Sequence, residues 1–170
     1  MRRGIAAALL ACTWAAAAPA GDSAAASFFA QLQGHWRGEG ETRGMASVQD
    51  LRWAPALDGA FQRLHLINLM TAADGREWRF QAEAYYRIAP DGTISGTWHD
   101  SRGMTLPLSG QVDGDTLTID WGTDETERGR SRYRLAPDAL EVTDEVQTPA
   151  GEWRVFGRSR LIRVAEDTLQ

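Results

Sequence analysis

Lysine is absent from this 170-residue chain: all 18 basic residues are arginine. Cysteine and asparagine occur once each, as Cys12 and Asn68, and the only histidines are His35, His65 and His99. Without lysine there is no amine for a Schiff base, no anchor for pyridoxal phosphate and no P-loop lysine. A lone cysteine excludes an intrachain disulfide, a cysteine-based zinc site and a protein-held iron–sulfur cluster. No Gly-x-Ser-x-Gly elbow occurs, and no His-x-x-x-His or His-Glu-x-x-His pair, so nucleophilic and zinc-hydrolase chemistry lack a sequence basis. Asp91-Gly92-Thr93 lacks the remaining ligands of a calcium loop, and no metal site is expected.

The one extended apolar run lies at the N-terminus. Arg2 and Arg3 precede Ile5 to Ala17, a stretch too short to span a bilayer, and Ala18-Pro19-Ala20 has the small-x-small form of a signal-peptidase site. Residues 1–20 therefore read as a secretory signal, and the expected location is periplasmic or secreted. The alternative takes Leu9-Leu10-Ala11-Cys12 as a lipobox with Cys12 lipidated. Loss of residues 1–20 would leave no thiol and take the net charge from −5 to −7. That balance argues against nucleic acid as a partner, because phosphate binding needs a basic face. No later run is long enough for a transmembrane helix.

Residues 21–27 read as a flexible tether, and Ser27 as the cap of a short helix through Phe28, Phe29 and Leu32 that Gly34 ends. Beyond it the pattern is that of strands and turns. Asp-Gly occurs at Asp58-Gly59, Asp74-Gly75, Asp91-Gly92 and Asp113-Gly114, where both residues tolerate the positive φ of tight hairpins. Between the breaks, strands are predicted at His35–Arg43, Ser47–Pro55, Ala60–Thr71, Glu77–Ile88, Thr93–Asp100, Met104–Val112, Thr116–Trp121, Gly129–Ala136, Leu140–Gln147 and Glu152–Val164. Short loops between neighbours imply an antiparallel up-and-down meander. Closure into a barrel removes its two open edges. One β-barrel domain over 28–165 and a C-terminal tail at 166–170 follow.

Alternation assigns faces. Trp78, Phe80, Ala82, Ala84, Tyr86 and Ile88 share one face, and Leu117, Ile119 and Trp121 another. In the last strand, Trp153, Val155, Gly157, Ser159 and Leu161 share a face, with a bulge or strand end near Arg163. Over 61–70 both faces are mixed: Phe61, Arg63, His65, Ile67 and Leu69 oppose Gln62, Leu64, Leu66, Asn68 and Met70. An inward Arg63 and His65 would have to be paired or bind something polar. Asp100 shares a face with Trp98. Asp144, between Val142 and Val146, reads as a rim residue or a register-fixing salt bridge. Arg128, Arg130, Arg132 and Arg134 read as a solvated face paired across strands with acids such as Glu141 and Glu145.

The run Leu32-Gln33-Gly34-His35-Trp36-Arg37-Gly38-Glu39-Gly40, directly after a short helix, resembles the opening of calycin-type barrels: lipocalins, fatty-acid-binding proteins and their bacterial relatives. Its Gly-x-Trp-Arg-Gly-Glu-Gly form resembles the nitrobindin-like haem-binding barrels. Leu57-Asp58-Gly59, Trp98-His99-Asp100-Ser101, Asp144-Glu145 and the closing strand are similar to uncharacterised bacterial lipocalin-like families, and the resemblance spans roughly residues 28–164. It implies that Gly34 and Trp36 form a structural plug and that an arginine of the last strand, Arg158 or Arg160, packs on the Trp36 ring. It also implies a haem-ligating histidine in the closing strands. The chain departs from that pattern, since Gly103 to Gln170 holds no histidine and Tyr133 is its only tyrosine.

The expected fold is thus an all-β, about ten-stranded antiparallel barrel of calycin type with a short N-terminal helix. The leading functional expectation is a non-enzymatic binder of a small apolar or amphipathic molecule, with Trp78, Phe80, Tyr86, Trp98 and Tyr133 lining the cavity and Arg63, His65 and Asp100 as polar contacts. Other expectations are an acid/base enzyme using His65 and Asp100, a haem-binding barrel, and a filled barrel acting through its surface.

Overall fold

The computed structural model describes residues 23–165. Residues 1–20, read above as a secretory signal, together with the expected tail at 166–170, lie outside them. One helix, α1 (Ala24–Leu32), precedes ten strands: β1 (Gly34–Thr42), β2 (Met45–Ala56), β3 (Phe61–Thr71), β4 (Glu77–Ile88), β5 (Ile94–Asp100), β6 (Thr105–Asp113), β7 (Thr116–Trp121), β8 (Gly129–Ala136), β9 (Ala139–Gln147) and β10 (Trp153–Val164). Every strand pairs antiparallel with its sequence neighbours, and β1 pairs with β10, so the sheet is a closed barrel. The architecture is the one expected from the strand and turn pattern. The Asp-Gly turns explain much of it. Gly59, Gly75, Gly92 and Gly114 all take positive φ, and the Asp91 carboxylate accepts from the Thr93 amide at 2.9 Å.

The helix starts earlier than the sequence reading had it. Ser23, not Ser27, is the N-cap, its hydroxyl accepting from the Ala26 amide at 3.2 Å. The Ala24-Ala25-Ala26 run expected in the tether joins the helix because alanine has the highest helix propensity. The helix covers one end of the barrel with Phe28, Phe29 and Leu32, all buried. Beneath it lies an aromatic cluster: Phe29 meets Trp53 and Tyr86 at 5.8 and 5.5 Å between ring centroids, and Trp53 meets Tyr133 edge-on at 5.3 Å. Such offset and edge-on contacts add to the area that the rings bury.

The helix C-terminus is tied to the barrel by its own unpaired carbonyls. The Trp36 indole N–H donates to the Leu32 carbonyl at 2.8 Å. The Arg163 guanidinium donates to the carbonyls of Gln31, at 2.7 Å, and Gln33, and lies 4.2 Å over the Trp36 ring. A cation at this helix end also suits its dipole. Arg163 therefore takes the role expected of Arg158 or Arg160. The register decides it: Trp36 sits directly opposite Arg163, whereas Arg158 and Arg160 pair with Glu41 and Glu39 on the outer face. The irregularity expected near Arg163 lies instead between Val155 and Gly157. That shift moves Trp153 and Val155 off the face of Gly157, Ser159 and Leu161 and turns Phe156 to the interior. Gly34, at φ 118°, leaves room for Arg163: a Cβ there would sit 2.5 Å from a guanidinium nitrogen.

Arg163→Ala is expected to lower stability by about 1–2 kcal/mol, since it frees two helix carbonyls and a cation–π contact. Arg160→Ala, which removes only exposed pairs with Asp138 and Glu141, should cost less than about 1 kcal/mol. Urea midpoints of the two variants check this, and equal midpoints would contradict the assignment.

Candidate functional site

The end opposite the helix is open, and a cavity of about 440 Å³ enters the barrel there. Its walls come from the mouth-side halves of the strands. Trp78 and Phe80 of β4, Trp98 of β5, Trp121 of β7 and Phe156 of β10 supply five aromatic side chains, with Leu66, Met70 and Leu106 between them. Phe80 stacks on Trp98 at 6.3 Å, and Trp121 meets Phe156 edge-on at 6.5 Å. A second, shallower hollow lies at the helix end between Trp36, Arg163 and the β8–β9 turn, and belongs to the plug.

Polar groups occupy one sector of this cavity. Thr42, Gly157, Asp144 and Ser131 are successive partners across β1, β10, β9 and β8, so all face inward at one level. The Ser131 hydroxyl donates to Asp144 at 2.6 Å. Burial pushes the Asp144 carboxyl up to about 6, and the Ser131 hydrogen bond only partly offsets this. From the β3 side the Asn68 amide donates to the Thr42 hydroxyl at 3.1 Å, which itself donates to Ser47 at 3.2 Å. The Asn68 amide oxygen has no partner although the residue is only 5% exposed, and the buried Gln49 amide oxygen and Ser159 hydroxyl lack partners too. Acceptors left unsatisfied inside a barrel carry a desolvation cost that a donor from a ligand or water would relieve.

The rim is cationic. Arg43 lies 5.6 Å from the Phe156 ring centroid and Arg102 5.6 Å from that of Phe80. Arg102 also bridges Asp100 at 2.7 Å and Glu127 at 2.5 Å. The Asp100 side chain is fully covered. Burial alone would raise its pKa, but hydrogen bonds from Arg102 and from the Trp98 indole, at 3.0 Å, outweigh that and hold it below the ordinary range. Asp100 is thus a fixed anion that orients Trp98 and Arg102.

Trp78, Phe80 and Trp98 line the cavity. Tyr86 and Tyr133 do not line it: they are buried in the aromatic cluster beneath the helix, where burial above all favours their neutral phenols, followed for Tyr86 by the Asp144 charge and for Tyr133 by Tyr86 and then Asp144. Arg63 and His65 do not face the cavity. Leu64 and Asn68 are buried and Leu66, Asn68 and Met70 line the cavity, so the alternate residues of β3 point outward. There His65 meets Glu83 at 2.7 Å, with Arg63 beside the same carboxylate. Apolar Ile67 and Leu69 on the outer face had made the two faces indistinguishable by pattern. All three histidines lie on the outer wall, His35, Arg52, His65, Glu83 and His99 being successive partners from β1 to β5. The acid/base pair of His65 and Asp100 is therefore divided by the barrel wall. For the same reason the cavity offers haem iron no imidazole. Among the described residues no cluster of three histidine, cysteine or carboxylate side chains is placed to hold a metal.

Asp144 is the main functional candidate that pattern reading set aside. It is neither at the rim nor in a salt bridge; burial and Ser131 are the influences on it. The signal was its place between Val142 and Val146. The arginine face, in contrast, is as expected: Arg130 and Arg132 reach Glu145, and Arg134 reaches Glu141, on the outside.

A carboxyl whose pKa is higher folded than unfolded binds protons more readily in the native state, so its ionisation destabilises the fold as pH rises. Asp144 should therefore lower stability between its ordinary value of 3.8 and about 6, with the effect complete above that. Asp144→Asn should abolish this fall and be more stable at pH 7 by up to about 3 kcal/mol. Denaturant unfolding at pH 4, 5, 6 and 7 reads both; a parallel pH dependence in the variant would refute the assignment.

No protein-family model matches the chain, and no curated protein matches it. Among solved structures it is similar to the crystal structure of Rv2717c from M. tuberculosis, with a TM-score of 0.61 and 17% sequence identity over 84% of this chain and 99% of that one. Identity at this level speaks for the shared barrel fold alone.

Proposed function

We propose that this protein binds a small amphipathic molecule in the open half of its barrel, and that residues 1–20 direct its export. The observation that carries the binding reading is the cavity itself, about 440 Å³ with five aromatic side chains facing a polar sector of Asp144, Ser131 and Asn68. Apolar walls with a few convergent polar groups are the usual form of a small-molecule site. The helix and its aromatic cluster close the far end, so a ligand would enter from the arginine rim and stop at the level of Asp144. His65 and Asp100 stand on opposite sides of the wall, so that pair takes no part in this reading.

The test is fluorescence enhancement of N-phenyl-1-naphthylamine on titration with protein. Saturable one-to-one binding is expected. Met70→Trp and Leu66→Trp, which fill the cavity from β3, should each weaken it about tenfold or more, whereas Arg63→Ala and His65→Ala on the outer wall should leave it unchanged. Circular dichroism establishes that the variants fold. Absence of saturable binding, or binding indifferent to both cavity-filling variants, would end this reading.

A further inference from the structure

We propose that the ligand of this cavity is an organic cation, an amphipathic amine whose ammonium group pairs with Asp144 while its apolar body lies against Trp98, Trp121 and Phe156. The inference deepens the binding reading above and rests on it.

Three observations point the same way. The first is the sign of the interior charge. At the inner level of the cavity the one ionisable side chain is Asp144; the arginines that line the cavity, Arg43, Arg79 and Arg102, belong to hairpins and strand ends at its mouth. Asp144 makes no ion pair among the described residues; the Ser131 hydroxyl donates to it, and the neutral phenols of Tyr86 and Tyr133 lie near enough to feel its charge. A buried carboxylate without a counter-ion favours a ligand that brings one. Arg43 and Arg79 at the rim leave room for a second, anionic end of the molecule outside, but place no cation where an anionic head would have to stop.

The second is the inventory of unmet hydrogen bonds. Asn68 lines the same space and its buried amide oxygen has no donor, while Thr42 stands between it and Asp144 through the β1–β10–β9 row. A carboxylate and an amide oxygen are both acceptors. An ammonium group carries up to three donors and no acceptor, which matches this set; a carboxylate or phosphate head would add acceptors to acceptors. Gly157 faces Asp144 directly, and a Cβ there would come within 3.1 Å of the carboxylate, so the glycine keeps the approach to that oxygen clear.

The third is the walls. Aromatic faces attract cations through the ring quadrupole, and rings with a carboxylate at the end of the slot are the composition that recognises organic ammonium groups. Three rings of this cavity, Trp78, Phe80 and Phe156, already carry guanidinium groups, from Arg76, Arg102 and Arg43. Trp98 and Trp121 carry no such cation among the described residues, which leaves their faces to a ligand.

Three probes of one chain length decide the question: octylamine, 1-octanol and octanoate, titrated at pH 7.5 and followed by tryptophan emission from Trp78, Trp98 and Trp121. Octylamine should bind about tenfold or more tightly than octanoate, and Asp144→Asn should remove that preference while 1-octanol affinity stays within about twofold. The 1-octanol arm reports whether the cavity accepts an apolar chain at all. If 1-octanol and octanoate bind as well as octylamine, or the amine preference survives in Asp144→Asn, the organic-cation assignment is wrong and the binding reading stands. If none of the three binds, both are wrong.

Discussion

The pairs that join β1 to β10, from His35 with Val164 to Thr42 with Gly157, close the barrel. Without them two strands would present open edges, and the inner side chains would face water. Gly38 and Gly40 make this seam close. A Cβ on either would fall 2.0 Å from a carbonyl oxygen of β10, so the neighbouring backbone occupies the place a side chain would take. The same register sets both ends of the molecule. At one end it puts Arg163 opposite Trp36 and so seats the helix. At the other it puts Gly157 opposite Thr42 and, through β9, brings Asp144 to the level of Asn68.

The interior is divided by side-chain volume. Beneath the helix, Trp53, Tyr86, Phe29 and Tyr133 fill the space with rings in contact, and Leu64, Leu117, Leu140 and Leu161 complete the packing. Toward the mouth, apart from Phe156 at the bulge of β10, the inward positions of β1, β10 and β8 are Gly40, Thr42, Gly157, Ser159 and Ser131, which are small. The void exists because these residues face the large rings of β4, β5 and β7 without reaching them. Stability therefore comes from the closed half, and the open half is free to hold buried polar groups that cost stability, Asp144 among them.

The strands and turns were legible in the sequence because their signals are local. Asp-Gly turns, period-two alternation in β4 and β7, and the short loops each depend on residues within reach along the chain. The candidate site was legible only in part. Trp78, Phe80 and Trp98 follow from the face of β4 and from Trp98 beside Asp100. Arg63 and His65 were misplaced because β3 alternates one mixed face with another, and its orientation is decided by pairing with β2 and β4 rather than by its own residues. Arg163 was missed because the register between β1 and β10, which no residue of β10 alone announces, decides which arginine stands opposite Trp36.

By itself the sequence determined a thiol-poor, lysine-free chain that alternates strands with tight turns and can satisfy its strand edges by closing. Those properties follow from composition and from backbone chemistry at Asp-Gly, and they hold whatever the register. Only the tertiary structure decided which faces point inward, that all three histidines stand on the outer wall, and that Asp144 meets Ser131 across 13 residues of sequence at 2.6 Å. The physical reason is that a barrel's inside is defined by pairing between strands: one residue of slip exchanges the two faces, and nothing within a mixed strand opposes it.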